Sequence, residues 1–240
     1  MNDISGIVLY EGPSMLDPSR TIVAIATLES GNNKTGNMVQ VWILDRDTHP
    51  VEEMREEGDS PICGSCPLRG TVCYVRVDTA PTIIWHGYWR GIYPYAEDVD
   101  VSAYFEGRRI RWGAYGDPAA LDLRLVHKFD RLSEGSTGYT HQWKRDLARA
   151  GRLAKLFMMS CDTHEDLDFV NLKGWRGFLV SEEEHSEAVE CPYYTHGVQC
   201  IDCMLCCGNR LAAKHVRAAP HGRSKKRFLE EVLNGNSNSN

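Results

Sequence analysis

Eight of the nine cysteines of this 240-residue chain lie in two short segments, and no other feature constrains the fold as strongly. The first segment is PICGSCPLRGTVCY at 61–74, and the second is CPYYTHGVQCIDCMLCCG at 191–208. The odd total of nine cysteines and their clustering, in a chain without signs of secretion, favour metal thiolates over disulfides. The sequence therefore predicts two loops that fold around metal.

The second segment has the stronger metal-binding pattern. Its cysteines Cys191, Cys200, Cys203 and Cys206 have the spacing C-x8-C-x2-C-x2-C. Consecutive C-x2-C steps suit a [4Fe-4S] cluster, because a short loop can then wrap several corners of a cubane. Zinc also accepts four thiolates, but zinc fingers usually separate two C-x2-C pairs. We predict an iron–sulfur cluster here, with zinc as the alternative and Cys207 as a spare thiol.

The first segment holds Cys63, Cys66 and Cys73 without a fourth cysteine nearby. Three interpretations stay open. The thiols form a zinc knuckle completed by a distant Cys or His, they hold a cubane with one open iron, or they share one site with the second segment. Cys161 follows a buried apolar run and is predicted to be a core residue.

Composition narrows the class of protein. Hydrophobic residues make up 42% of the chain and charged residues 25%, which is typical of a globular protein with a sizeable core. The net charge of -6 argues against a generally basic nucleic-acid binder. The N-terminal residues do not resemble a signal peptide, and no stretch approaches the ~18 apolar residues of a membrane span. We expect a cytoplasmic protein without membrane contact.

The hydrophobic pattern predicts an α/β fold. Strands are predicted at 21–28, 37–44, 137–143, 154–162 and 175–181, and residues 108–121 are predicted as a strand that ends in a Gly-rich turn. Helices are predicted at 49–58, 80–92, 121–132 and 163–174. From about 108 to 181 the order is β-α-β-(α)-β-α-β, which predicts one parallel sheet, as a partial (β/α) barrel or an open sheet. The predicted domains are residues 1–189, a cysteine-rich C-terminal extension at 190–222, and a basic, then disordered tail at 223–240.

Polar residues follow several of these strands, at the end where parallel α/β sheets bind ligands. Asp117 follows the strand that begins at 108, and either faces a ligand or caps the next helix. His141 and Gln142 follow another strand-like run and are candidates to line the same ligand-binding end of the sheet. Asp162 follows the next one and is predicted to cap a helix, and Thr163 is also a candidate cap for the helix at 163–174.

These motifs resemble the radical S-adenosylmethionine superfamily, whose members fold as partial (β/α) barrels. Cys63, Cys66 and Cys73 resemble its cluster-binding trio, with the spacing C-x2-C-x6-C in place of C-x3-C-x2-C. The resemblance implies a [4Fe-4S] cluster with one iron left for S-adenosylmethionine. YGDP at 115–118 is similar to the Gly-Gly-Glu-Pro segment, which implies that the cofactor is approached by Tyr115, Gly116 and Asp117. The second segment resembles the auxiliary-cluster segments of some members.

GPSMLD, ICGSCP, GAYGDPAA and GYTHQW together resemble a group of uncharacterised bacteriophage-encoded proteins. That resemblance implies a host-cytoplasmic setting and no particular activity. Two classes of function follow. One is an iron–sulfur protein of the radical type, enzymatic or not, with an unknown substrate. The alternative is a non-enzymatic phage factor stabilised by zinc or iron–sulfur, which contacts nucleic acid or a host protein through the basic run GRSKKR at 222–227.

Overall fold

The chain forms two compact units. The computed structural model describes residues 4–56, 58–70, 73–220 and 225–230. The first unit comprises Met1–Gly64 and Val75–Ser136, and the second comprises Ser65–Tyr74 and Thr137–Asn240. The strands form two five-stranded sheets.

The first sheet is mixed. Its strands, in spatial order, are β1 (Gly6–Pro13), β2 (Thr21–Thr27), β3 (Val39–Asp45), β4 (Arg109–Tyr115) and β5 (Gly135–Thr137). The pairs β1–β2 and β2–β3 are antiparallel, whereas β3–β4 is parallel. A parallel pair needs a long crossover, and this one carries most of the unit's helices. The helices are α1 (Pro50–Arg55), α2 (Ser60–Cys63), α3 (Ala80–Trp89), α4 (Ser102–Phe105) and, after β4, α5 (Leu123–Leu132).

The second sheet is parallel at all four of its pairings. Its strands are β6 (Tyr139–Thr140), β7 (Met158–Cys161), β8 (Gly177–Val180), β9 (Ala188–Glu190) and β10 (His215–Ala218), in the spatial order β6-β7-β8-β10-β9. The helices are α6 (Leu147–Leu153), α7 (His164–Leu172), α8 (Pro192–His196), α9 (Cys200–Cys203) and α10 (Lys225–Phe228). Burial is complete along β7 and β10, whereas β8 alternates between buried and partly exposed residues and the edge strand β9 is partly exposed throughout.

The α/β class predicted from the sequence is confirmed, but the prediction of one parallel sheet across 108–181 is wrong. β4 and β5 belong to the first sheet, and β6, β7 and β8 belong to the second. The predicted strand 137–143 is in fact two short strands, with Gly138 between the end of β5 and the start of β6. Apolar periodicity could not detect this division, because both strands are buried and only one glycine separates them. Each sheet has two edge strands and is therefore open.

The cysteine-rich segment 190–222 contributes a strand to the second sheet. Its β10 lies between β8 and β9, so the two ends of the cysteine loop are fixed by neighbouring parallel strands. Of the predicted tail 223–240, only residues 225–230 lie within the described residues. There Phe228 is buried against Leu68, and Lys225 forms an ion pair with Glu182 at 2.8 Å. None of the helices in the described ranges has the length and apolar character needed to cross a membrane.

Candidate metal centre

Four cysteines of the second segment line one pocket. They are Cys191, Cys200, Cys203 and Cys206, the set predicted from the spacing. The pocket is partly open to solvent. Thr137, Tyr139 and Val216 contribute to its walls. The loop therefore places four cysteines, which span sixteen positions of the chain, around one pocket.

Cys191 is fixed by the second sheet. It directly follows β9, and its N–H donates to the carbonyl of Arg217 on β10 at 2.8 Å. Pro192 then begins α8 at its first position, where a proline suits the helix. Only 7% of Cys191 is exposed, and it packs in a core cluster with Met158 and Val216. Cys191 is thus held in place by the backbone of the second sheet.

The next three thiols follow a helical turn. Cys200 and Cys203 begin and end α9, and residues three apart lie on the same face of a helix. Met204 follows with a φ of 51°, the left-handed region that side chains rarely adopt. Across the described ranges, no other residue except glycine has a positive φ. This reversal lets the chain bring Cys206 back to the pocket that α9 lines, and the Cys206 carbonyl accepts from Gly138 N–H at 3.3 Å.

Arg176 holds the end of the cysteine loop. Its Nη1 donates to the carbonyls of Leu205 at 2.7 Å and Gly208 at 3.0 Å. Its Nη2 donates to the carbonyl of Lys214 at 2.7 Å. Sequence analysis did not single out this residue, since an arginine before a short strand carries no signal of loop binding. Only the folded contacts reveal that a buried guanidinium organises the segment that follows Met204.

The thiols of the pocket influence one another. Burial raises the pKa of Cys203, and the neighbouring Cys191 and Cys207 raise it further, although a hydrogen bond from the Leu205 backbone opposes them. A metal ion that binds such thiols displaces their protons, which are released to solvent. Thiolates are soft ligands that suit iron–sulfur clusters and zinc.

The first cysteine segment divides between the compact units. Cys63 ends α2 in the first unit, whereas Cys66 and Cys73 belong to the second. Cys66 packs beside Leu68 and Phe228.

The YGDP turn lies beside the end of α2, within the first unit. Asp117 N–H donates to the carbonyl of Ile62 at 2.7 Å, one residue before Cys63. The carboxylate of Asp117 accepts from Ala119 N–H at 2.9 Å and so caps the 3-10 turn at 118–120, the capping role that the sequence allowed. Gly116 has a φ of 78°, and a Cβ there would lie 2.7 Å from the Ile43 carbonyl oxygen. Tyr115 is buried at the end of β4.

His141 and Asp162 meet at the carboxyl ends of the adjacent strands β6 and β7. His141 Nε2 lies 3.2 Å from Asp162 Oδ1, and the imidazole is also within hydrogen-bonding reach of the Cys66 thiol. Burial lowers the pKa of His141, but Cys66 and Asp162 outweigh it and raise that pKa well above its usual value. Burial also raises the pKa of Asp162, whereas His141 and Lys144 outweigh it and lower that pKa.

The predicted capping role of Asp162 is wrong, because Thr163 caps α7 by accepting from Asp166 N–H at 3.1 Å. The Asp162 carboxylate does not cap α7 and instead lies beside His141 Nε2. Cys161 is 1% exposed, which confirms it as a core residue, and burial raises the pKa of its thiol well above the usual value.

Within the ranges that the structure describes, no group of three or more His, Cys, Asp or Glu side chains is arranged to hold a metal ion. Comparisons of the chain with protein-family models, with curated proteins and with solved structures find no match.

Proposed function

We propose that this chain is an iron–sulfur protein whose [4Fe-4S] cluster is bound by the second cysteine segment. The observation that carries the proposal is the single pocket lined by Cys191, Cys200, Cys203 and Cys206. Fe–S clusters take four cysteine thiolates, one on each corner iron of a cubane. Both the number of thiols and their grouping in one loop meet that requirement.

The cysteine spacing favours a cluster over a single zinc ion. Four thiolates on zinc converge on one point at about 2.3 Å. Ligands of a cubane instead surround a body of several atoms, and consecutive C-x2-C steps in one loop suit that arrangement. The pocket that the four cysteines line is partly open to solvent, and apolar side chains such as Leu205 and Val216 form part of its wall. Partial exclusion of water protects a cluster and tunes its potential.

When bound, the cluster would supply one-electron transfer. The chain's own contribution is to hold four thiolates in place and to limit access of water. Cys191 does so from the end of β9, and Arg176 does so through the carbonyls of Leu205 and Gly208. A reducing compartment, such as the cytoplasm expected from the sequence, would keep these thiols available as ligands.

Anaerobic purification followed by metal analysis tests this proposal. We expect a brown protein with several irons per chain. Cys200→Ser and Cys203→Ser should each lose the colour and most of the iron. Cys207→Ser is the matched control, because Cys207 neighbours Cys206 but does not line the pocket. This variant should keep the colour and the iron. A colourless wild-type protein that loses one zinc per chain on Cys200→Ser or Cys203→Ser would show that the second segment is a zinc site instead.

A second candidate function is radical chemistry with S-adenosylmethionine. The observation that favours it is the hydrogen bond from Asp117 N–H to the Ile62 carbonyl, which joins the YGDP turn to the residue before Cys63. The resemblance to the radical family assigns the cofactor to such a turn. Reductive cleavage of S-adenosylmethionine by the iron-loaded wild type, lost in Cys63→Ser, would support it. Absence of cleavage would favour the non-enzymatic alternative, a factor that binds nucleic acid or a host protein.

A further inference from the structure

Cys66, His141 and Asp162 form a chain of contacts within the second unit that the proposed cluster does not use. The thiol of Cys66 is within hydrogen-bonding reach of the imidazole, and Nε2 of that imidazole lies 3.2 Å from Asp162 Oδ1. Both side chains of the His–Asp pair are well buried, with 13% of His141 and 5% of Asp162 exposed. A histidine held this firmly between a thiol and a carboxylate has a defined orientation.

We propose that Cys66 and His141 are ligands of a zinc ion and that Asp162 positions the imidazole for it. Metal-bound histidines typically donate their other ring N–H to a carboxylate, which fixes the tautomer and raises the basicity of the ligand nitrogen. A nitrogen that donates to a carboxylate is not a metal ligand, so Nδ1 is the nitrogen that would bind zinc. Thiolate together with imidazole is a ligand combination that zinc commonly takes.

The surrounding sequence supplies further thiols. Cys66 is the second cysteine of a C-x2-C pair, which is a zinc-ligand spacing. Cys73 belongs to the same compact unit as Cys66 and His141. Two ligands and their supporting carboxylate thus stand in place, and Cys73 is the candidate third ligand that metal binding would fix.

The same three residue types also form the nucleophile, base and orienting acid of thiol enzymes. The local sequence favours metal, because such a nucleophile needs one thiol, whereas this segment carries three within eleven positions. A histidine ligand would also distinguish the site from the radical family, in which S-adenosylmethionine completes the coordination of the cluster. The proposed zinc site uses none of the cysteines of the second segment, so it does not depend on the cluster proposed there.

The test measures zinc in protein whose second segment is disabled by Cys200→Ser and Cys203→Ser. In that background we expect one zinc per chain, and Co²⁺ should replace it with the visible spectrum of a thiolate-bound tetrahedral ion. His141→Gln should lose the zinc. Asp162→Asn should weaken zinc binding by about 10–100-fold. His127→Gln, at an exposed position in the other unit, is the control and should change nothing.

His141→Cys separates the two roles of the histidine, because a cysteine can replace a metal ligand but not a base. We expect this variant to retain zinc and the Co²⁺ spectrum, which also shows that it folds. Unchanged zinc affinity in His141→Gln would overturn the proposal. So would a zinc-free protein in which iodoacetamide labels Cys66 rapidly at neutral pH and His141→Cys abolishes that reactivity, since this is the behaviour of a nucleophile.

Discussion

Nη1 of Arg176 lies 2.7 Å from the carbonyl oxygen of Leu205, so a buried cation at the start of β8 is bonded to the residue before Cys206. The same guanidinium also satisfies the carbonyls of Gly208 and Lys214. Three backbone acceptors of the segment after α9 are therefore paired by one side chain rather than by secondary structure.

Arg176→Met keeps much of the side-chain volume but leaves those three carbonyls without their donor. Unpaired buried acceptors are costly, and we expect the free energy of unfolding of the second unit to fall by roughly 2–4 kcal/mol. Urea titration followed by hydrogen exchange of β8 and β10 measures this loss. Lys155→Met, at an exposed position in the same unit, should change the unfolding free energy by less than about 0.5 kcal/mol. Equal effects of the two substitutions would show that Arg176 does not organise the loop.

Gly208 is required by a close approach of the cysteine loop to residues 154–157. Its φ is 63°, and a Cβ there would lie 2.6 Å from Phe157 N and 2.7 Å from the Ala154 carbonyl oxygen. Gly208→Ala must therefore move backbone atoms, whereas Gly197, with a φ of 69°, has open space around its Cα.

The two glycines form a matched pair for alanine substitution. Gly197→Ala should cost about 1–2 kcal/mol, the strain of the left-handed region alone. Gly208→Ala should cost clearly more, because steric overlap with backbone adds to the same strain. Thermal unfolding and iron content of the two variants, side by side, measure the difference. If the two substitutions prove equally costly, the loop does not lie against the Phe157 backbone as described.

The cysteine set of the pocket could be predicted from the sequence, because ligand spacing is a local property. C-x2-C-x2-C limits the geometry to one helical turn and one reversal, which α9 and Met204 provide. The α/β class could be predicted for a similar reason, since buried strands and amphipathic helices have distinct periodicities.

The pairing of side chains with residues elsewhere in the chain could not be predicted, because it depends on which distant segments become neighbours in the fold. His141 and Asp162 were each candidates at strand ends, but their pairing depends on β6 and β7 being neighbours, which periodicity along the chain does not reveal. Arg176 acts on carbonyls about thirty positions further along the chain. A carbonyl acceptor has no signature in the sequence, because every residue carries one.

His215 gives the second unit a dependence on pH. At the start of β10, its Nδ1 accepts from Gly177 N–H at 2.9 Å, and its Nε2 therefore carries the proton and donates to Asn171 Oδ1 at 3.1 Å. Burial lowers the pKa of His215, and the nearby Arg176 and His185 lower it further. Glu187 opposes them but does not outweigh them.

Because the folded pKa of His215 is lower than the unfolded value of about 6.5, the unfolded chain binds more protons between the two values. The stabilisation is therefore complete above about pH 6.5 and is lost as the pH falls toward the folded pKa. Urea unfolding from pH 8 to pH 5 should show this loss as a difference between the wild type and His215→Gln, because His141, whose pKa is raised, gives both proteins an opposite dependence on pH. His215→Gln should be less stable than the wild type at pH 8, and the gap between the two should narrow toward pH 5. His127→Gln, at an exposed position, should follow the wild-type profile. A constant gap across this range would contradict the prediction.

Asp117 separates a structural role from a cofactor role in the first unit. As a cap it only needs to accept from Ala119 N–H, and asparagine caps nearly as well as aspartate. We therefore expect Asp117→Asn to keep the unfolding free energy within about 0.5 kcal/mol, and Asp117→Ala to lower it by about 1 kcal/mol.

If Asp117 also receives the amino group of S-adenosylmethionine, the asparagine variant should fold normally but bind that cofactor more weakly, because the attraction of a carboxylate for an ammonium group is lost. Equilibrium dialysis with S-adenosylmethionine, run beside urea titration of the same samples, distinguishes the two. Equal cofactor binding by wild type and Asp117→Asn would leave capping as the role of this carboxylate.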